Sequence, residues 1–197
     1  MRRKCRAISV AGCRASEPNS FRVAVAEDLP AILTLINRAY AGEEWLFPQP
    51  RITPEDLFAE FRDPMKVFLI AQCAPENTGV VRVDFGSNPE GGPFPIFGLL
   101  AVDPDWRGLG LGAALVQAAE KLASDEGHET LHLECIEEVG LLPFYSQLGY
   151  TEISRTFGER WSSTRPFTLV LMRKRLVSST PPAEVEVKSR AKSHEPT

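Results

Sequence analysis

A chain of 197 residues, 43% hydrophobic and 24% charged, has ordinary globular composition and suits one core of typical domain size. The formal net charge is −4, yet the first 16 residues carry Arg2, Arg3, Lys4, Arg6 and Arg14 with no acid. The body of the chain is therefore more acidic still, which argues against a nucleic-acid partner, whose phosphates need clustered Lys and Arg. No apolar run approaches the roughly 18 to 20 residues that cross a bilayer, so no membrane partner is expected.

Residues 1–19 read as a basic, disordered tail. The composition is also that of a mitochondrial presequence, so import stands as the alternative to a cytoplasmic location. Phe21 to Ala26 alternates as a short strand, and Glu27-Asp28-Leu29-Pro30 opens a helix with acids and a proline in its first turn. Ile32, Leu35, Ile36 and Ala39 then repeat at helical spacing. A proline-punctuated stretch from Gly42 to Pro54 precedes a second helix near Glu55 to Arg62. Strand-like runs follow at Val67 to Cys73, Val80 to Phe85 and Ile96 to Val102, spaced as an antiparallel meander. Next come a long helix, Gly110 to Glu126, a strand, Thr130 to Cys135, and a short helix, Leu142 to Leu148. Strands near Tyr150 to Phe157 and Phe167 to Arg173 close the fold. The sum is one α/β domain over residues 20–176 with a mixed central sheet. Residues 177–197 bury too little apolar surface to offset their ordering entropy and read as a second disordered tail.

Cys5, Cys13, Cys73 and Cys135 lack the CxxC spacing of a zinc or redox site and read as reduced thiols. His128 and His132 lie four apart across a helix-to-strand boundary and read as two surface histidines rather than metal ligands, so no metal is expected.

The chemistry is concentrated after the strand that ends at Val102. Asp103-Pro104-Asp105-Trp106 leads through Arg107-Gly108-Leu109-Gly110-Leu111-Gly112 into the long helix. The first amides of a helix have no intrahelical partner and sit at the positive end of its dipole. Glycines let an anion approach that backbone, and Arg107 can add a charge-assisted contact, so the segment predicts a site for two or more phosphates. Gly108-x-Gly110-x-x-Ala113 also satisfies a dinucleotide fingerprint, with Glu134 at the end of the next strand, so an NAD(P)-binding oxidoreductase is a rival. Against it, five residues separate the strand from the first glycine, and no further βαβ units follow. No Gly-Lys-Ser or Gly-Lys-Thr occurs, which excludes a Walker loop.

The run Leu100-Ala101-Val102-Asp103-Pro104-x-x-Arg107-x-x-Gly110-x-Gly112 resembles the acyl-CoA signature of the GNAT superfamily of N-acyltransferases. Phe144-Tyr145-Ser146-Gln147-Leu148-Gly149-Tyr150 is similar to a later element of that family, and the resemblance covers about Phe21 to Lys174. It implies a mixed, mainly antiparallel sheet with flanking helices, in which one parallel pair of strands, Ile96 to Val102 and Thr130 to Cys135, splays apart around acetyl-CoA. The cosubstrate's pyrophosphate would rest on Arg107, Gly108, Leu109, Gly110, Leu111 and Gly112, and its pantetheine arm on Leu100, Ala101 and Val102.

The implied reaction is direct attack of an amine on the thioester. Tyr145 matches the family's general acid. The carboxylate that several members carry on the strand before the signature has no counterpart in Pro95 to Gly98, which leaves Glu134, preferred, and Glu138 as bases. Family members often place Asn seven residues before the Tyr, where this chain has Glu138. The acceptor, a small-molecule or peptide amine, is expected against the segment Gly158 to Pro166 and the Gly42 to Pro54 loop, which holds Glu43 and the substrate-binding candidates Glu44, Trp45 and Phe47. A monomer or homodimer is expected. A non-catalytic acyl-CoA sensor that kept the phosphate cradle and lost its base is the second reading.

Overall fold

The computed structural model describes residues 20–73, 76–86, 94–159 and 163–176, so the expectations for both tails lie outside the described residues. The chain runs β1 (Ser20–Val23), α1 (Leu29–Ala39), α2 (Pro54–Arg62), β2 (Lys66–Cys73), β3 (Glu76–Asp84), β4 (Ile96–Val102), α3 (Leu111–Asp125), β5 (Thr130–Ile136), α4 (Leu142–Gln147), β6 (Thr151–Gly158) and β7 (Phe167–Arg175). The strands form one sheet in the order β1-β2-β3-β4-β5-β7-β6. Only β4 and β5 pair in parallel; the other neighbours are antiparallel. Among the described residues no helix is long and apolar enough to cross a membrane.

Both faces of the sheet are covered, and strand alternation sorts the side chains between them. Phe68, Ile70, Val80 and Ala101 join Ile32, Leu35 and Ile36 of α1 and Leu57 of α2 in one core. Leu69, Ala71, Val81, Val83 and Phe97 point the other way, onto Leu111, Leu115, Val116 and Ala119 of α3 and Tyr145 of α4. Burying each large apolar side chain contributes about 1.5 to 3 kcal/mol. The long helix lies close on the strands because β3 carries Gly79, where a Cβ would come within 2.7 Å of Leu115 Cδ1. A smaller cluster of Leu46, Phe47, Phe167 and Leu169 fastens the loop after α1 to β7.

Local chemistry sets the helix starts. The Asp28 carboxylate accepts from the Val25 amide at 2.8 Å and from both terminal nitrogens of Arg22 at 2.7 Å. Those bonds hold its pKa below the usual carboxylate value, the Arg22 bond first. The Thr53 hydroxyl accepts from the Asp56 amide at 3.1 Å, and Pro54 follows it as the first residue of α2. Between the two helices, the Asn37 side chain exchanges two 3.0 Å bonds with the backbone of Ile52. That exchange pins the end of the loop, just before α2, to α1.

Two expectations need correction. His132 is not a surface residue: it is 5% exposed, stacked on Phe94 at 4.0 Å, with Nδ1 3.1 Å from the Pro95 carbonyl, and burial lowers its pKa. Cys73 is disulfide-bonded rather than a reduced thiol, whereas Cys135 is free and buried.

Candidate active site

The turn between β4 and α3 is assembled by its acids and by Arg107. The Asp103 carboxylate accepts from the Asp105 amide at 2.9 Å, and Arg38 donates to Asp103 at 2.8 Å and to Asp105 at 2.7 Å. Arg107 reaches back: Nε donates to the Val102 carbonyl at 3.3 Å and Nη2 to the Ala39 carbonyl at 2.6 Å. It thereby ties the glycine loop to the ends of β4 and α1. Gly108 and Gly110 have φ of +78° and +80°, a region that disfavours any side chain. A Cβ at either would meet no atom within 4 Å, so the requirement is conformational rather than steric.

Within this segment the first helical bond is Ala114 N–H to Gly110 O at 3.1 Å. Among the described residues, the amides from Gly108 to Ala113 donate to no protein acceptor. Six unspent donors around the start of a fifteen-residue helix form a cradle for a polyanion, and the diphosphate of coenzyme A fits that donor set. Gly108, Gly110, Leu111 and Gly112 line the groove above it together with Arg107, while the Leu109 side chain points to solvent, 65% exposed.

The groove, about 760 Å³, continues along Leu100, Ala101 and Val102. It exists because β4 leaves β5 after Ile96↔His132 and Phe97↔Leu133, the only paired positions of these strands. The departure coincides with a bulge: β3 residues Val80 and Arg82 pair with Ala101 and Gly98, so one β3 residue opposes two on β4. Leu99 takes φ +46° there, a left-handed conformation that costs a non-glycine residue about 1 to 2 kcal/mol. Beyond the bulge, the Leu100 carbonyl accepts from the Tyr40 hydroxyl at 3.1 Å.

A second cavity, about 470 Å³, opens on the far side of the splay between the Glu43–Ile52 loop, α2, β4 and β5. Tyr40, Glu43, Val139, Leu141 and Tyr145 line both spaces and so form their common wall. Tyr145, 7% exposed, packs among Phe97, Phe144 and Tyr150 with ring centroids 6.0, 5.0 and 6.4 Å away. Burial, and after it the neighbouring Tyr40, Cys135 and Glu43, push its phenol well above the ordinary value. Glu43 is half-buried and makes no side-chain hydrogen bond or ion pair among the described residues. Desolvation raises its carboxyl pKa, with Arg51 and Arg107 pulling the other way.

The candidates from sequence are placed as follows. Glu134 lines the second cavity only. Glu138 lines the groove, and both its carboxylate oxygens accept from the Thr168 amide at 3.0 and 3.1 Å, holding the start of β7. Trp45 lines the groove with the Arg165 guanidinium stacked 4.1 Å over its ring. Glu44 lines neither cavity and is exposed. Phe47 lines neither and is 2% exposed, edge-on to Phe167 at 5.8 Å, which makes it core. Sequence reasoning found the right loop but did not single out Glu43, Arg51 and Tyr40. The usable signal was the end of α1, since the Tyr40, Glu43 and Leu46 to Phe47 turns fix which acid faces inward.

Comparison with known proteins gives a family and a fold. Residues 36–171 match the Acetyltransferase (GNAT) domain. An uncharacterized N-acetyltransferase of Methanocaldococcus jannaschii is 40% identical over 52 residues, which is 26% of this chain and 23% of that protein. The chain thus spans about a quarter of that relative's length. Among solved structures, the ribosomal-protein-S18-alanine N-acetyltransferase of Escherichia coli superposes with a TM-score of 0.66 at 19% identity, covering 84% of this chain and 98% of that one. An acetyltransferase of Salmonella typhimurium, solved with its cofactor acetyl-CoA, gives 0.66 at 18% identity, covering 85% and 99%. The protein smu.2055 of Streptococcus mutans gives 0.68 at 19% identity, covering 80% and 99%. At these identities the likeness is one of fold.

Proposed function

The chain belongs to the GNAT acetyltransferases, and from that premise we propose that it moves an acetyl group from acetyl-CoA to a primary amine while both are bound. The observation that carries this reading is the run of unpaired amides, Gly108 to Ala113, at the head of a groove that ends at Tyr145 and Glu43. Those amides would hold the diphosphate, and the strand edge at Leu100 to Val102 would hold the pantetheine arm. Acetyl-CoA, when bound, supplies the acetyl group activated as a thioester.

The residues of this chain then have a proton to move. An amine of pKa about 10.4 is only about 0.04% neutral at pH 7, so a base must take its proton. Glu43 fits that task better than Glu134, because it borders both cavities and its desolvated carboxylate is a stronger base than an exposed one. With the proton on Glu43, the nitrogen lone pair forms the C–N bond as the C–S bond breaks and the sulfur takes up the electron pair, and the nitrogen then sheds its second proton to solvent to leave the neutral amide. Tyr145 donates a hydrogen bond to that sulfur as its charge develops. A thiol of pKa about 8.5 is a stronger acid than a buried phenol, so Tyr145 keeps its proton and the thiolate acquires one from solvent. Glu43 returns its own proton to solvent. Raised pKa values suit both residues, one as acceptor and the other as permanent donor.

Thiol release during incubation with acetyl-CoA and a panel of amines tests the reading. Release that depends on an amine is expected. Tight acetyl-CoA binding with no release on any amine would replace it with a non-catalytic sensor.

A further inference from the structure

We propose that the acceptor is a small aminocarboxylate, one molecule carrying both an amine and a carboxylate, and that Arg51 receives the carboxylate. The inference rests on the acetyltransferase reading for the reaction but on Arg51 itself for recognition.

Arg51 lines the second cavity and not the groove. The other guanidinium there, Arg82, is neutralised by Glu60 at 2.6 Å. Arg51 has no carboxylate within 4.0 Å among the described residues, and its Nε is buried without a hydrogen-bond partner. A guanidinium whose Nε is taken out of water with no acceptor beside it is left short of a partner that an incoming anion can supply at its other nitrogens. The residue is also held in place: its guanidinium lies over the rings of Phe47 at 4.9 Å and Tyr40 at 5.3 Å. Its chain neighbour Ile52 is locked to Asn37. A guanidinium fork held against two rings matches a carboxylate in two parallel bonds.

The other end of the ligand is set by Glu43. Glu43 and Arg51 line the same cavity, and Arg51 is the foremost charge acting on Glu43. They nevertheless form no ion pair within 4.0 Å among the described residues, which leaves room for a zwitterion with its ammonium at Glu43 and its anion at Arg51. A lysine side chain or a peptide N-terminus brings no anion to that position. The cavity of about 470 Å³ suits a small molecule.

The test compares kcat/KM for aminocarboxylates of increasing chain length with their decarboxylated amines. The carboxylate should be worth roughly 10- to 100-fold. Arg51→Met should remove that advantage mainly through KM, and Arg51→Glu should turn the preference toward diamines; acetyl-CoA affinity by calorimetry reports that both variants fold. Equal use of the two series, or equal loss on both in Arg51→Met, overturns the proposal. Calorimetric titration of aminocarboxylates into protein saturated with coenzyme A reads recognition without turnover. Binding that disappears in Arg51→Met sustains the proposal even if no acetyl group moves, and then the transfer reading alone fails. No binding by any aminocarboxylate, with transfer to plain amines intact, overturns the proposal and leaves the transfer reading standing.

Discussion

The phosphate cradle at the head of the groove is built from backbone amides contiguous in sequence, Gly108 to Ala113, whereas the cavity beside the groove takes its charged side chains from the Glu43–Ile52 loop, α2, β3 and β5. A cradle of peptide amides depends on dihedral angles and on the absence of side chains, so it tolerates little change at Gly108 or Gly110 and is indifferent to most surroundings. A cavity of side chains can be rewritten one residue at a time without disturbing the fold. The first arrangement suits a ligand common to many relatives, and the second one that differs among them.

The sharpest separation of the two regions should come from Glu43. Glu43→Gln is expected to lower kcat by about 10²- to 10⁴-fold, with acetyl-CoA affinity unchanged in calorimetry; a larger loss in Glu134→Gln would move the base to β5. In the unaltered protein kcat/KM should rise with pH through a value above that of an ordinary carboxyl, since Glu43 works ionised and its pKa is raised. Tyr145→Phe should come next, lowering kcat by about 10²-fold through loss of the hydrogen bond to the developing thiolate, with the same affinity for acetyl-CoA; unchanged turnover would remove Tyr145 from the reaction.

Gly110→Ala probes the other region. Forcing a side chain to φ +80° costs about 1 to 2 kcal/mol, so acetyl-CoA should bind about 10-fold more weakly while the variant keeps its preference among amines. The smallest effect should be on stability. Folding holds the Glu43 proton more tightly than the unfolded chain does, so ionising it weakens the fold as pH rises from the ordinary carboxyl pKa through the raised one. Glu43→Gln should therefore raise Tm slightly at pH 7, and the gain should vanish below the ordinary carboxyl range. A gain that persists in acid would trace to something other than the charge.

How much of this was legible in the sequence follows the same division. The glycine run names its own ligand class, because the residues that make the cradle are adjacent, and hydrophobic alternation places β2, β4, β5 and β6 within a residue of their observed limits, whereas β3 begins four residues before its expected start and β1 ends three before its expected end. Leu99 gave no sign of its left-handed backbone: a leucine there predicts regular strand, and the bulge comes from pairing with β3. Glu43 and Glu44 are indistinguishable by type. Only the turn after α1, with Leu46 and Phe47 bonded back to the Glu43 carbonyl, puts one acid at the common wall and the other in water. His132 went astray for a related reason, since whether a strand-borne histidine is covered depends on Phe94 and Pro95, nearly forty residues away in the chain.

The partition formed by Tyr40, Glu43, Val139, Leu141 and Tyr145 has a thermodynamic corollary. Whichever molecule arrives first presses on side chains that its companion must also touch, so the two occupancies are energetically linked. Linkage is reciprocal: the factor by which coenzyme A alters the grip on an amine is the factor by which that amine alters the grip on coenzyme A. Two titrations run in opposite order should return a single coupling constant.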